Sequence, residues 1–375
     1  MDKFDIFNGL SEKMNNDRTR LWKKEGRPVV GLTCSGIPEE IVHSAGILPV
    51  RIRANSVAET ECADAELHKM TCSYIKAASE LLLADKNGFF DGVIAVNTCD
   101  HHLNLTDLLY HKSKIPLHYF EMRHSNTAGG RDLFIKSMKK LIVYLQDQFA
   151  VSITASDIRN SIKIYNQTRA LMDNLNEFRK SSSPLISGAE YMKIVRAGMT
   201  VRKEAFNVYL EDLITELSTA KSGAEQRPRV MIMGGACDSP DFISFVEEQG
   251  FFVTADNLCF GARHYHGQID VEARDLLSAI AERYFQAISC PSVVNDFERN
   301  YNLLTGVLDK MEIQGIIVAR IKFCDHYAGF VKMLKDALAA DNRIRVLDLE
   351  KDYGTSGSAQ LATRLQAFHE MIGNT

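Results

Sequence analysis

The chain has 375 residues and a formal net charge of −4, with a pI near 6.3. This length suits two domains of ordinary size, and the weak acidity gives no general attraction to nucleic acid or anionic membranes. The N-terminal stretch from Met1 to Phe7 lacks the basic start and apolar core of a signal peptide. No apolar run is long enough to span a membrane. We therefore expect a cytoplasmic, soluble protein.

The first third of the chain alternates helices with short apolar strands. A charged helix is predicted from Phe4 to Lys24. A further helix follows Pro38, with acidic residues in its first turn. Another, from Met70 to Ala84, carries Cys72 near its start. Strands are predicted at Val29–Thr33, Leu48–Arg53, Gly92–Thr98 and Leu117–Met122.

The middle of the chain, from about Leu133 to Ser222, repeats its apolar residues with helical period and predicts a helical connector. A second set of strands follows, at Arg229–Met233, Phe251–Ala255, Gly315–Lys322 and Ile344–Leu349, with a last helix at Ser358–Ile372. The predicted division is an α/β domain over 1–132, a connector over 133–226 and a second α/β domain over 227–375.

The two predicted α/β domains share a motif, in which a glycine-led apolar strand runs into Cys-Asp-His. The first copy is Gly92–Thr98 followed by Cys99, and the second is Gly315–Phe323 followed by Cys324. Such β-branched runs are typical of buried parallel strands. Ligands of open α/β sheets bind beyond the carboxyl ends of the strands. We therefore predict two similar, doubly wound domains that present thiols to a shared cleft.

The chain has eight cysteines but no Cys-x-x-Cys pair. In an intracellular chain of this size, metal-binding or catalytic thiols are more common than disulfides. Cys72 lies at a helix start, where a thiolate is stabilised, Cys290 precedes a proline, and Cys62 lies in a polar stretch. The others follow predicted strands within a few residues: Cys34, Cys99, Cys237, Cys259 and Cys324. A metal site would have to be assembled from distant segments.

Two interpretations stay open for Cys72, Cys99 and Cys324: a three-thiolate iron–sulfur site, or buried structural thiols. Neighbouring histidines such as His101 and His326 make a mixed Cys/His zinc site a competitor. No dinucleotide fingerprint or Walker A sequence accompanies the paired glycines at 129–130 and 234–235. Four arginines near strand ends are expected to be solvated: Arg51, Arg53, Arg263 and Arg320.

Several segments together resemble the 2-hydroxyacyl-CoA dehydratase and benzoyl-CoA reductase subunit family. They are Ile37–Pro49, Thr71–Ser73, Thr98–Asp100, Phe323–Asp325 and Asp352–Phe368. The resemblance runs over nearly the whole chain. It implies two flavodoxin-like α/β domains with an iron–sulfur cluster between them, and it assigns the cluster to Cys72, Cys99 and Cys324.

Three additional cysteines, Cys34, Cys259 and Cys290, resemble those of the family's double-cubane branch. That branch holds two cubanes joined by a sulfide (8Fe–9S) with six thiolates. Cys237 resembles a non-ligand cysteine of benzoyl-CoA reductase subunits and is not assigned to the cluster.

The resemblance implies electron transfer at very low potential, driven by ATP hydrolysis on a separate iron–sulfur activator protein. The leading hypothesis is a double-cubane reductase acting on a small substrate. The first alternative is a dehydratase or aromatic-ring reductase subunit with one 4Fe–4S cluster, acting on an acyl-CoA, in which Glu40 and His101 are the candidate catalytic residues for proton transfer. The second is a non-catalytic electron-carrier or scaffold subunit. An identical or homologous partner subunit is expected.

Overall fold

The computed structural model describes residues 4–85, 88–180, 183–220, 226–341 and 344–373. Within these ranges the chain forms two four-stranded sheets, and every strand pairing in them is parallel. Helices cover both faces of each sheet. The predicted α/β fold with two doubly wound domains is confirmed.

The first sheet has the order β2-β1-β3-β4. Its strands are β1 Val29–Leu32, β2 Leu48–Arg51, β3 Gly92–Val96 and β4 Leu117–Phe120. Val30 of β1 lies opposite Pro49 on one side and Gly92 on the other. All residues of β1, β2 and β3 are buried, which is why these strands are apolar except for Arg51 at the end of β2. The strand order reverses between β1 and β3, and a crevice opens beyond their carboxyl ends.

The second sheet repeats this topology with the order β6-β5-β7-β8. Its strands are β5 Arg229–Gly234, β6 Phe252–Leu258, β7 Gly315–Ile321 and β8 Arg345–Lys351. Gly315 lies opposite both Val230 and Arg345. The reversal falls between β5 and β7, so each domain has an equivalent crevice.

The helices are numbered in chain order. The first eight are α1 Asp5–Glu12, α2 Asp17–Lys24, α3 Glu39–Ser44, α4 Glu61–Glu66, α5 Ser73–Leu83, α6 Asp100–Lys112, α7 Ala128–Phe149 and α8 Ala155–Glu177. The next eight are α9 Gly188–Gly198, α10 Lys203–Leu217, α11 Pro240–Glu248, α12 Ala262–Tyr265, α13 Leu276–Gln286, α14 Phe297–Lys310, α15 Asp325–Asp341 and α16 Ala359–Gly373. Among the described residues, none of these helices has both the length and the apolarity that a membrane crossing requires.

The opening segment forms two helices, so the prediction of one helix from Phe4 to Lys24 was wrong. The side chain of Asn16 accepts hydrogen bonds from the backbone N–H groups of Arg18 and Thr19, at 3.0 and 3.1 Å. It also donates to the carbonyl oxygen of Leu10 at 3.1 Å. Asparagine at this position caps a new helix, because its side chain replaces the missing backbone partners.

The connector region does not pack as one unit. Helix α7 covers one face of the first sheet, where Phe134 and Met138 meet Val30 and Ile94 in one apolar cluster. Helix α13, which follows β6 in the chain, packs beside α7 through Phe285. Helix α9 contacts α1 on one side and α11 of the second domain on the other. The division at 132/133 and 226/227 stays a prediction, and residues 221–225 of the connector lie outside the described ranges.

Direct hydrogen bonds join the two domains beside the crevices. The backbone N–H of Tyr353 donates to the hydroxyl of Ser73 at 2.7 Å. The hydroxyl of the same tyrosine accepts from the N–H of Ala54 at 3.0 Å. These bonds hold the end of β8 against the start of α5, so the crevices of the two sheets form one interdomain cleft.

Candidate metal centre

Cysteines lie at the points where parallel strands end and helices begin. Cys34 follows β1, and Cys259 follows β6 directly. Cys99 and Cys324 directly precede α6 and α15, and Cys72 directly precedes α5. The carboxyl ends of parallel strands lie at one edge of a sheet, so cysteines at these positions share that edge in each domain.

A cavity of about 360 Å³ occupies the interdomain cleft. Six cysteines line it: Cys34, Cys72, Cys99, Cys259, Cys290 and Cys324. These are the six predicted metal ligands, and the fold brings them together from both halves of the chain. Cys237 is buried and Cys62 exposed, and neither is among the lining residues. Within the described ranges, no three Cys, His, Asp or Glu side chains are grouped closely enough to hold one metal ion. Metal ligation therefore stays a prediction.

The lining thiols fall into two groups according to their neighbours. In one, the hydroxyl of Ser35 donates to the carbonyl oxygen of Cys259, so Cys259 lies next to Cys34. The Sγ of Cys34 accepts from the N–H of Gly36 at 3.3 Å. The Cys259 thiol donates to the carbonyl oxygen of Gly235 at 2.9 Å.

In the other group, Cys72 is within electrostatic reach of Cys99 and Cys324. The backbone N–H of Cys72 lies 3.4 Å from Nδ1 of His101, and the Sγ of Cys99 lies 3.3 Å from Nδ1 of His102. The exposed Cys290 acts electrostatically on members of both groups. It therefore lies between them.

Three of the lining thiols, those of Cys34, Cys72 and Cys324, keep their protons at neutral pH in this protein environment. Burial raises the pKa of Cys34 and Cys324 to about 11 and that of Cys72 to about 12. Backbone N–H groups at the helix starts oppose this for Cys72, Cys99 and Cys324, because they donate toward the sulfur. A bound cation would deprotonate such thiols, since a coordinating thiol loses its proton to the metal.

Two arginines that were expected to be solvated are instead buried. Arg51 and Arg53 are 2% and 3% exposed, so the prediction for them was wrong. Arg51 donates from Nη1 to the carbonyl oxygen of Leu32 and to the hydroxyl of Tyr74, both at 3.0 Å. Its guanidinium also faces the Phe260 ring at 4.2 Å. The missed signal was its position at the end of an apolar strand, which carries the side chain into the interior.

Arg263 also belongs to the cleft, because it is one of the residues that line the cavity. Its Nη2 donates to the carbonyl oxygen of Gly234 at 2.9 Å and to the hydroxyl of Tyr327 at 2.8 Å. Its Nε is buried and has no hydrogen-bond partner in the described structure. Arg320, by contrast, pairs with Asp348 and Glu350 on β8.

His101, a predicted catalytic residue, lines the cavity beside the Cys72 and Cys99 thiols. Burial lowers its pKa, and the nearby carboxylates of Asp325 and Asp100 partly oppose that shift. Burial lowers the pKa of His102 to about 4, so His102 is neutral at pH 7. A neutral imidazole next to a thiol can accept or donate a hydrogen bond. The catalytic role of His101 stays a prediction.

Glu40, the other predicted catalytic residue, lies outside the cavity lining, in an adjacent small pocket. It is fully buried, and its carboxylate pairs with Arg169 of α8. Burial favours the neutral acid, but Arg169 and then Arg283 hold the pKa of Glu40 below its usual range. Tyr284 donates to Glu40 at 3.4 Å and lines both spaces. Glu40 is therefore one side chain removed from the cleft, and its catalytic role stays a prediction.

Glu39 occupies the same pocket and was not predicted as a functional residue. Its carboxylate lies 3.1 Å from Nζ of Lys203 and 3.3 Å from Nε2 of His264. Despite burial, Lys203 and His264 hold the pKa of Glu39 far below its usual range. No local sequence signal indicates this pocket, because its charges come from α3, α8, α10, α12 and α13.

The fold and this site define a class: a two-domain α/β protein with a thiol-lined candidate metal centre at the domain junction. The family model for the D-component of 2-hydroxyglutaryl-CoA dehydratase matches residues 34–372. The chain therefore belongs to this family, as the sequence motifs predicted.

Curated relatives match over most of their length. The chain is 27% identical over 368 residues to "Putative dehydratase subunit YjiM" of Escherichia coli strain K12, covering 93% of each chain. It is 24% identical over 327 residues to a benzoyl-CoA reductase subunit of Thauera aromatica, covering 84% of each. The beta subunit of the (R)-2-hydroxyglutaryl-CoA dehydratase of Acidaminococcus fermentans is 22% identical over 361 residues, with 94% of each covered. The relatives are named as dehydratase or reductase subunits, and the chain has an enzyme-type role of this family.

A solved structure described as "crystal structure of SsGBP and GDP complex" aligns with a TM-score of 0.26 and 9% identity. The alignment covers 93% of this chain and 99% of that chain. This TM-score is too low to indicate a shared fold.

Proposed function

We propose that this protein is an iron–sulfur oxidoreductase that delivers very low-potential electrons to a small substrate at a double-cubane cluster in the interdomain cleft. The observation that carries the proposal is the convergence of six cysteine side chains on one cavity. Thiolates are the ligands that iron–sulfur clusters prefer. Six of them match the number that a double cubane needs.

The residues of the cavity fit such a group. The lining offers soft sulfur donors, and helix starts at Cys72, Cys99 and Cys324 direct backbone N–H groups toward the sulfurs. The buried Nε of Arg263 has no acceptor within the described residues, and a cluster sulfide would supply one.

When bound, the cluster would supply one-electron transfer at very low potential. The protein side chains would hold it, exclude water and manage protons. Cys34, Cys259 and Cys290 would ligate one side, and Cys72, Cys99 and Cys324 the other. His101, next to the second group, is the proposed proton donor to substrate, because its imidazole lines the cavity.

We further propose that electrons come from a separate ATP-dependent iron–sulfur activator protein. The chain carries no Walker A sequence, which supports ATP hydrolysis on another protein. Two-subunit assembly, with an identical or a homologous partner, is part of the same proposal. The subunit names of the relatives support it.

A second candidate function is a subunit of a 2-hydroxyacyl-CoA dehydratase or benzoyl-CoA reductase with one 4Fe–4S cluster. The names of the relatives favour it. In this case Cys72, Cys99 and Cys324 hold the cluster, the substrate is an acyl-CoA, and Glu40 joins His101 in proton transfer. A non-catalytic electron carrier is the third candidate.

Iron and acid-labile sulfide, measured per chain after anaerobic purification, separate these candidates. Two cubanes of four irons each would give about eight irons per chain. A reproducible value of about four would reject the double cubane and favour the single-cluster subunit. Zinc without acid-labile sulfide would reject both.

Turnover tests the energy supply. The chain, mixed with its activator, ATP and a strong reductant, should reduce the cluster and then the substrate. The chain alone should neither bind nor hydrolyse ATP. Equal rates with a non-hydrolysable ATP analogue would reject the activator mechanism. Activity only after adding a homologous second subunit would identify the carrier or heterodimer alternatives.

A further inference from the structure

The charges around the cysteine cavity are distributed unevenly. Arg51 lies on the side of Cys34 and Cys259, within electrostatic reach of both sulfurs. Its Nε is 3.4 Å from the hydroxyl of Ser35, which binds the Cys259 backbone in turn. This guanidinium is buried and fixed by several hydrogen bonds. Its charge is therefore permanent and poorly screened by solvent.

Arg263 adds a second cation on the same side. It acts electrostatically on Cys259 and Cys290. Hydrogen bonds to Gly234 and Tyr327 fix the guanidinium, while its buried Nε has no partner in the described part of the chain. A fixed donor without an acceptor, in the wall of a cavity, points to an electron-rich group inside that cavity.

The opposite side carries carboxylates. Asp100 and Asp325 directly follow Cys99 and Cys324 in the chain, and both line the cavity. The carboxylate of each aspartate raises the pKa of its neighbouring cysteine, and so disfavours a negative charge on that sulfur. Negative charge is therefore stabilised near Arg51 and Arg263 and destabilised near the two aspartates.

We propose that Arg51 and Arg263 are positioning residues that place the first added electron on the Cys34, Cys259 and Cys290 side of the cluster. This inference rests on the proposed double cubane. In the step concerned, a one-electron reductant such as Ti(III) citrate is oxidised to Ti(IV), and its electron enters the cluster without a proton. The side near Asp100 and Asp325 then stays oxidised and remains available to the substrate and to His101.

The test is a redox titration of the cluster-loaded protein with Ti(III) citrate, followed by electron paramagnetic resonance. Arg263→Gln should disfavour the first reduction about tenfold, a shift of about −59 mV for one electron. Arg263→Lys, which keeps the charge, should recover most of the shift. Arg229→Gln is the matched control, because Arg229 pairs with Glu312 at the amino end of β5, away from the cleft. It should leave the potential unchanged.

Asp325→Asn gives an independent measurement at an exposed position, so it decides the question even if Arg263→Gln loses iron. It should raise the potential of the first reduction. The rise should be less than half of the about 59 mV by which Arg263→Gln lowers it. A larger rise would place the electron beside Cys324 and overturn the inference. An unchanged potential in iron-replete Arg263→Gln would overturn it as well. A wild-type protein without iron and sulfide would instead overturn the proposed function, and this inference with it.

Discussion

The small pocket of Glu39 and Glu40 and the large cysteine-lined cavity share a wall formed by Arg283 and Tyr284. They differ in whether their ionisable groups face a counter-charge. In the small pocket, the carboxylates of Glu39 and Glu40 face Lys203 and Arg169 directly. In the large cavity, burial raises the pKa values of Cys34, Cys72 and Cys324, so these thiols are neutral.

The difference separates structure from function in this molecule. A buried charge that meets its counter-charge helps to hold the chain in one arrangement. The pocket joins α3, α8, α10 and α12 in this way. A neutral thiol behaves on burial as a small apolar group, but it becomes a metal ligand once a metal takes its proton. We therefore expect the ion pairs of the pocket to act mainly on stability and the thiols of the cavity to act in ligand binding.

The largest expected effect lies in the cavity. Cys99→Ala or Cys324→Ala removes a sulfur donor from one side of the proposed cluster, and most of the iron should be lost. Iron and sulfide per chain measure the effect. Cys62→Ala is the matched control, because Cys62 is exposed on α4, and its iron content should equal that of the wild type. Full iron content in both cleft variants would contradict the ligand assignment.

In the pocket, Glu40→Gln should lower the free energy of unfolding by about 3–5 kcal/mol, because it leaves the buried guanidinium of Arg169 without its counter-charge. Urea unfolding at pH 7 measures this. Asp336→Asn, which breaks the exposed pair with Lys332, should change the free energy of unfolding little. If Glu40→Gln is as stable as this control but inactive, the residue acts in catalysis and the contrast between the two spaces fails.

His118 on β4 is a third buried polar group, and its Nε2 has no hydrogen-bond partner in the described structure. Burial lowers its pKa to about 4, below the ordinary value of about 6.5. The unfolded chain therefore binds more protons between pH 6.5 and 4, and stability is lost as the pH falls through this window. At about 1.4 kcal/mol per pKa unit, the loss is at most about 3.5 kcal/mol.

The pH dependence of stability should become shallower in His118→Gln than in the wild type. Urea unfolding at pH 7 and pH 4.5 measures the slope. His111→Gln, at an exposed position near the end of α6, serves as the control and should retain the wild-type slope. An identical slope in all three proteins would show that His118 does not contribute.

The smallest effect concerns α8, which carries Arg169 into the pocket. Thr154 and Asp157 form a capping box at its start, and Thr154→Ala should cost about 1 kcal/mol. Thermal unfolding measures the loss. Because the cap lies on the surface, the iron content should stay unchanged. A loss of iron in this variant would show that the pocket and the cavity are coupled more tightly than their separate linings indicate.

Much of this architecture could be predicted from the sequence because buried parallel strands are continuously apolar. Strands β1 and β3 were placed correctly, and with them Cys34 and Cys99 at the strand ends. The break at Asn16 was missed, since its capping bonds depend on how the chain turns locally. The burial of Arg51 was also missed, because only the packing of Tyr74 and Phe260 around it makes an interior guanidinium acceptable.

The sequence by itself determined that two similar α/β domains exist and that cysteines follow their strands, because side-chain periodicity and turn residues are local properties. Only the tertiary structure decided which thiols become neighbours. The hydroxyl of Ser35, which follows Cys34, donates to the carbonyl oxygen of Cys259, 224 residues further along the chain. This contact forms because the domains dock at the carboxyl ends of both sheets. The ion pairs of Glu39 and Glu40 were decided in the same way. Contacts between distant segments depend on the packing of whole helices, which no local pattern encodes.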